Sequence, residues 1–318
     1  MSMKFDENSQ LLATGTRNGA INIYNMEYWE LETQIEPVDE AGIEDGLISK
    51  IDVKFPVTWL KWKPQSRFSR FASTLTASYG NGVVKFWDIY SKESKIKIFE
   101  SEGQGIYSLD YNSTGSILAT GGMDHNLRIY DEPTKAMIQM YSNVGWGEIL
   151  NHYNRIFWVK FNPEDEHMIY SGGADWMITI HDIRWKFPIR NIIGPKVLGD
   201  SIDVRNHHLL TGSYSGDEWL EIWDLRNYER VSSFNWDNSD MTKGGQIVSA
   251  KFTKGSSNNI ISASRIANEV RMLDVVTGET SWTFEGFSSM IYSLEMSNEG
   301  RFISTGNADG SISLFEYH

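Results

Sequence analysis

The sequence predicts an all-β chain assembled from seven copies of one small sheet unit. Three observations predict it: internal repeats that align without gaps, a recurring distance between their ends, and the absence of a helical period in any copy. The segments Met3–Asn25 (MKFDENSQLLATGTRNGAINIYN), Leu109–Asp131 (LDYNSTGSILATGGMDHNLRIYD) and Leu294–Glu316 (LEMSNEGRFISTGNADGSISLFE) match over 23 residues. They share a Thr-Gly at Thr14-Gly15, Thr120-Gly121 and Thr305-Gly306. Four more copies end on an aromatic or apolar residue followed by an acid: Trp87-Asp88, His181-Asp182, Trp223-Asp224 and Leu273-Asp274. The seven ends lie 63, 43, 51, 42, 50 and 42 residues apart. A period near ~40–45 residues with scattered insertions is the mark of an array of β units.

Each unit reads as strand, polar turn, strand, Gly/Asn/Asp turn, strand, and a weaker fourth strand. In the first unit Met1–Phe5 forms the inner strand, and the outer one lies near Leu31–Glu36. In the third unit the strands are Ile106–Tyr111, Ile117–Gly121, Asn126–Asp131 and Ala136–Tyr141. The last unit supplies three, Met290–Met296, Phe302–Gly306 and Ser311–Phe315, and its outer strand is missing. An edge so exposed carries unpaired backbone N–H and C=O groups and accepts a strand from a partner. Ser311, Ser313 and Phe315 are the candidate edge residues. Residues 1–318 are expected to form a single domain.

Composition narrows the function. The chain of 318 residues is 40% hydrophobic and 22% charged, with 12 Trp, 14 Tyr and 15 Phe, enough for a large core anchored by aromatic side chains. A net charge of −13 argues against nucleic acid and against anionic lipid, both of which need a basic footprint. Cysteine is absent, which excludes disulfides and thiolate metal sites and fits a reducing compartment. The N-terminal MSMKFDENSQ lacks an apolar signal region, and no apolar run approaches the ~20 residues that span a bilayer. The expectation is a soluble cytoplasmic protein.

With the repeats phased, VVKFWD (Val83–Asp88) and LEIWDL (Leu220–Leu225) carry a Trp-Asp signature, and the chain resembles the WD-repeat family along its whole length. The resemblance implies a seven-bladed β-propeller around a channel, the seventh blade lacking its own outer strand. It also implies a hydrogen-bonded tetrad within a blade. The Trp is replaced by Tyr24, Tyr130, His181, Leu273 and Phe315, and only the fourth repeat keeps a linker His, His152, with Ser171 and Asp175 as its partners. WD-repeat proteins are frequent in cytoskeletal and ciliary assemblies, a role the resemblance admits.

Catalysis needs convergent titratable groups. The seven His (His125, His152, His167, His181, His207, His208 and His318) are scattered, and no zinc-protease, nucleophile-elbow or phosphate-loop motif occurs. Asn18, Asn81, Asp124, Asp175 and Asp309 stand where β-turns favour Asn or Asp. No catalytic, cofactor or metal residue is assigned, and an enzyme with a site at the channel mouth is a remote alternative. The expected function is a non-enzymatic scaffold or adaptor that binds protein or peptide partners within a larger complex.

In the family, loops between the second and third strands and between blades crowd one face. Here they carry Arg17, Tyr79, Trp146, Trp176, Tyr214, Trp236 and Phe287, residue types that dominate interface hot spots. Two insertions add to them. Between Glu27 and Asp52 lie nine acidic residues against one Lys, a docking site for a basic segment or a solvated loop. Ser142–Arg155 places Trp146 between two glycines. The fourth and fifth repeats both end in Asp-x-Arg, at Arg184 and Arg226. Paired in this way they resemble substrate receptors of cullin-type ubiquitin ligases, in which that Arg docks the adaptor.

Overall fold

The structure, a computed structural model, describes residues 2–37, 54–64, 74–100, 103–142, 149–214, 218–236, 246–255 and 258–317. Every regular element among them is a strand. β1 (Ser2–Phe5), β2 (Leu11–Gly15), β3 (Ile21–Asn25) and β4 (Glu30–Ile35) form an antiparallel sheet in that order. The plan recurs in β5 (Val57–Trp62), β6 (Thr74–Tyr79), β7 (Val83–Asp88) and β8 (Glu93–Phe99). It recurs again in β9 (Ile106–Tyr111), β10 (Ile117–Gly122), β11 (Leu127–Asp131) and β12 (Met137–Tyr141), and in β13 (Ile156–Phe161), β14 (Met168–Gly173), β15 (Met177–Asp182) and β16 (Arg190–Ile193).

Two further four-strand units follow. They are β17 (Val197–Arg205), β18 (His208–Ser213), β19 (Leu220–Asp224) and β20 (Glu229–Phe234), then β21 (Ile247–Phe252), β22 (Asn259–Ser264), β23 (Glu269–Asp274) and β24 (Thr280–Phe284). One parallel pairing, Asp200 with Ser249, links them into an eight-stranded sheet. β25 (Ile291–Met296), β26 (Phe302–Asn307) and β27 (Ile312–Glu316) form a three-stranded sheet. The strands expected in the third unit and the outer strand expected in the first appear within one residue of their anticipated bounds. The innermost strands follow one another around a ring, β1 beside β5, β5 beside β9 and onward to β25, which returns to β1. The arrangement is β-propeller-like.

The recurring Thr-Gly has a packing cause. A Cβ at Gly121 would lie 2.6 Å from Ile156 Cγ2, and one at Gly212 would lie 2.5 Å from Ile247 Cγ2. The branched residue that opens the next inner strand therefore presses onto the backbone, and only glycine leaves room for it. Repetition of this contact stacks one sheet on the next and closes an apolar layer between them.

A second layer is charged. At one equivalent register position each innermost strand carries an ionic side chain: Lys4, Lys61, Asp110, Lys160, Asp203, Lys251 and Glu295. Asp200, further up β17, makes four acids against the four lysines. Lys4 and Lys251 each bridge Asp200 and Glu295, at 2.8 and 2.7 Å respectively. Lys61 pairs with Asp110 at 2.6 Å, and Lys160 with Asp203. Because β1 and β17 are not ring neighbours, the Lys4–Asp200 bridge crosses the channel. Asp110 and Asp203 each also accept the backbone N–H of the following inner strand, from Phe161 at 2.9 Å and Phe252 at 3.0 Å.

The ring closes through the turns of its first and last sheets. The Asn298 side-chain amide donates to the carbonyls of Asp6 at 3.1 Å and Glu7 at 3.0 Å, and its backbone N–H donates to Ser9 Oγ at 2.9 Å. Beneath these bonds Met3, Phe5, Leu12, Met26 and Phe302 form one buried apolar cluster.

Removing one member of the Lys4–Asp200–Lys251–Glu295 square strands an opposite charge in a dry site. Lys251→Ala is expected to lower unfolding free energy by about 3–5 kcal/mol in denaturant titrations. Burial raises the Asp200 and Glu295 carboxyls, and the adjacent Lys251 and Lys4 more than reverse that, holding both below their ordinary values. Their contribution is complete above pH ~4, where unfolded carboxyls are ionised, and is lost as pH falls toward the folded values. Stability of the wild type measured from pH 6 down to about pH 2 should decline more steeply than that of Lys251→Ala.

Candidate interaction surfaces

The tetrad expected from His152 is present. His152 Nδ1 lies 2.8 Å from Asp175 Oδ2, and its Nε2 lies 2.9 Å from Ser171 Oγ. Ser171 Oγ in turn lies 3.2 Å from His181 Nε2. All four side chains are buried, and His181 packs against the Tyr141 ring at 4.4 Å. Burial holds the His181 imidazole well below its usual range, with the neighbouring His152 adding to the effect, so His181 is neutral in the fold. The cluster ties a loop to two strands and is closed to solvent, which is the packed role the sequence suggests. Other sheets use different chemistry at this place. Trp87 Nε1 donates to Tyr79 Oη at 3.1 Å. In the third sheet, buried Glu100 accepts from Tyr130 Oη at 3.0 Å, from Arg128 and from Thr120.

The seven proposed contact residues do not share one environment. Arg17 and Trp176 are exposed at turns between second and third strands. Trp176 has φ of +63° at the turn position where Gly19, Gly82 and Gly310 stand in other units. A bulky residue is costly in that left-handed region. Lys196 Nζ sits 4.5 Å from the centroid of its ring. Tyr214 and Phe287 are half-buried. Tyr79 and Trp236 depart from the expectation, because both are buried: the first completes the contact with Trp87, and the second packs among Leu210, Leu220 and Ile247 with Arg271 over its ring. Trp146 and most of the acidic insertion, residues 38–53, lie outside the described residues.

Arg184 and Arg226 form matching forks. Arg184 Nε and Nη2 donate to Asp182 at 2.8 and 2.6 Å, and Arg226 Nε and Nη2 donate to Asp224 at 3.0 and 2.6 Å. Each fork joins residues two apart in one turn, not two sheets, and both guanidinium groups face solvent.

The edge of β27 needs one correction. Asn307 N–H donates to Ser311 C=O and Tyr317 N–H donates to Arg301 C=O, so the odd-numbered residues of this strand bond inward to β26. Alternation along a strand then turns the backbone groups of Ile312 and Leu314 outward, in place of those of Ser311, Ser313 and Phe315. Ser313 Oγ accepts from Asn307 Nδ2 at 3.1 Å, and Phe315 packs against Phe284 at 4.9 Å and Phe287 at 5.6 Å. No described strand lies beyond β27.

Sequence reasoning missed the channel mouth, a cavity of about 440 Å³. Trp59, Tyr107, Phe157 and Tyr292 line it, with Tyr107 and Phe157 stacked at 5.5 Å and Arg265 over Tyr292 at 5.7 Å. The signal was present: Tyr107, Phe157 and Tyr292 each stand three residues before the ionic position of their strand. Among the described residues no group of three or more His, Asp or Glu is placed to hold a metal ion. No described helix is long and apolar enough to cross a membrane.

Residues 93–131 and 278–316 match the WD domain, G-beta repeat family. By these two segments the chain is similar to the WD-repeat family. Among curated relatives, it is 29% identical over 177 residues to the WD repeat-containing protein 91 homolog of Dictyostelium discoideum, covering 55% of this chain and 20% of that protein. It is 23% identical over 256 residues to the E3 ubiquitin-protein ligase COP1 of Arabidopsis thaliana, covering 79% of this chain and 34% of that protein. The chain therefore spans about a third or less of these two relatives. Among solved structures, a chain of the crystal structure of the mitotic checkpoint complex superposes with a TM-score of 0.77 at 16% identity, covering 99% of this chain and 89% of that one.

His152→Ala strands a buried carboxylate and a buried hydroxyl and should cost about 3 kcal/mol in urea unfolding. Because His181 is held neutral, the unfolded chain takes up a proton there that the fold refuses. Its contribution is complete above pH ~6.5 and is lost as pH falls below that value. His181→Phe should therefore flatten the dependence of stability on pH between about 7 and 5, measured in the same titration.

Proposed function

We propose that this WD-repeat chain is a non-enzymatic scaffold that holds protein or peptide partners within a larger complex. Counting the eight-stranded sheet as two blades supports the reading of a single-domain, seven-bladed propeller. The observation that carries the reading is the last sheet: every other third strand has an outer neighbour, and β27 has none among the described residues. The exposure of Arg17 and Trp176, with Tyr214 and Phe287 half-buried, supports a second contact surface, to which Trp146 is assigned from sequence. The channel mouth offers a third. The likeness to a chain of the mitotic checkpoint complex supports membership of an assembly.

Hydrogen exchange tests the carrying observation. The Ile312 and Leu314 amides should exchange rapidly in the isolated chain and become protected in the complex recovered from cells. Full protection in the isolated chain would mean that the chain covers its own edge, and the reading would fail.

The twin Arg forks and the likeness to COP1 favour a second reading, a substrate receptor of a cullin-type ubiquitin ligase. On that reading, Arg184→Ala combined with Arg226→Ala removes capture of the ligase adaptor and leaves the melting temperature unchanged. Undiminished capture by the double variant would dismiss it.

A further inference from the structure

The six outer strands among the described residues share a feature that their sequences do not advertise. The residue of the third strand four positions before its terminal Asn, Asp or Glu is Ile21, Val84, Leu127, Ile178, Leu220 or Val270. Opposite these, in the outer strand, stand Ile35, Ile98, Tyr141, Ile192, Phe234 and Phe284. All six are bulky and apolar, and all six are buried or half-buried. The positions one residue earlier are Gln34, Lys97, Met140, Asn191, Ser233 and Thr283, mostly polar. One anchor per outer strand is therefore the rule.

The anchor has a fixed destination. It packs on the next sheet, at the residue preceding that sheet's terminal acid or Asn. The Phe284 ring meets the Phe315 ring at 4.9 Å, and the Tyr141 ring meets that of His181 at 4.4 Å. Ile35 and Trp87 share one apolar cluster, Ile98 and Tyr130 another, and Phe234 and Leu273 a third, while Ile192 lies in a cluster against which Trp223 packs. Carried on to the last junction, the register puts the anchor opposite Ile312 and its destination at Tyr24. A cavity of about 320 Å³ lies there, lined by Leu12, Tyr24, Met26, Trp29, Ile312 and Leu314.

Around the slot Arg301, beside the Phe302 ring, is already paired with Glu316, and three acids remain. An added antiparallel strand would enter near Glu30 and Glu32 at the start of β4 and near Glu279 just before β24. None of these three forms an ion pair with a described residue.

We infer that the last sheet is completed by an extended partner segment of four to seven residues, the lengths of the six outer strands present. It carries Lys or Arg at its N-terminal end and one Ile, Phe or Tyr that seats opposite Ile312 in the Tyr24 cavity. This rests on the open-edge reading and adds to it a side-chain requirement. Main-chain bonds to Ile312 and Leu314 supply affinity without regard to sequence, and the cavity selects the anchor. It continues an interface already repeated six times around the ring.

The test uses the full chain and a fluorescein-labelled peptide copying Glu229–Phe234 with Glu229→Lys. Anisotropy should show binding, and hydrogen exchange should show protection of the Ile312 and Leu314 amides. A peptide with Phe234→Asp should bind at least about tenfold more weakly, and one with Phe234→Ile within about threefold. On the chain, Trp29→Ser should weaken binding with the circular dichroism spectrum unchanged. If the Asp peptide protects β27 equally well, the anchor is overturned and the open edge stands. Absence of binding at about 1 mM with freely exchanging β27 amides also overturns the inference alone. Amides already protected without peptide overturn both.

Discussion

The ring depends on charges that must cancel along its axis. Four lysines and four acids project from the innermost strands toward the channel, and the most buried of them are tolerable only because their opposites are in place. Such pairs add little net stability over an apolar filling, but they penalise any arrangement that separates them. Lys4 is the clearest case, since it belongs to the first sheet and binds Asp200 across the channel. Until the first sheet stands opposite the fifth unit, Lys4 is left with Glu295 alone and Asp200 with Lys251 alone. The charged layer thus favours one order of sheets, while the apolar contacts between them, several of them a branched side chain against a glycine, supply most of the attraction.

Much of this was legible in the sequence because the repeats are in phase. Aligning Thr14-Gly15 with Thr120-Gly121 and Thr305-Gly306 locates second strands, and the terminal acids locate third strands. Strand bounds follow within a residue because each turn is short and uses residues suited to it. His152, Ser171 and Asp175 were legible as a set through the resemblance to the WD-repeat family, which implies a hydrogen-bonded tetrad at these positions. Other features depend on three-dimensional direction. Tyr79 occupies a loop-side position like Trp176, yet its hydroxyl turns inward to Trp87 and the side chain is buried. The edge of β27 was correctly placed as a strand and misread by one residue in its bonding side, since alternation fixes which residues share a side but not which side faces out.

Loop chemistry follows from the same regularity. The turn between second and third strands needs a left-handed residue, and glycine meets that need with least strain at Gly19, Gly82 and Gly310. Where His125, Trp176 or Asn268 stands instead, the chain tolerates local strain. Of these, Trp176 puts its side chain into solvent with a lysine over its ring. The scaffold therefore breaks its uniformity at a few positions, and those positions differ from one unit to the next. The twin forks of Arg184 and Arg226 are another local departure, shared by two successive units.

The uneven bonding of the last sheet has a mechanical side. A tensile load on β1 meets the Lys4 bridges, the bond from Trp62 Nε1 to the Lys4 carbonyl at 2.9 Å, and the packing of two neighbouring sheets. The same load on β27 meets a single ladder of main-chain bonds, which break in succession from the end, together with the packing of Phe315 and the Ser313–Asn307 bond. The molecule is therefore stiff when pulled at its hub and yielding when pulled at its seam. A strand seated beside β27 would turn that peeling into the simultaneous shearing of two ladders.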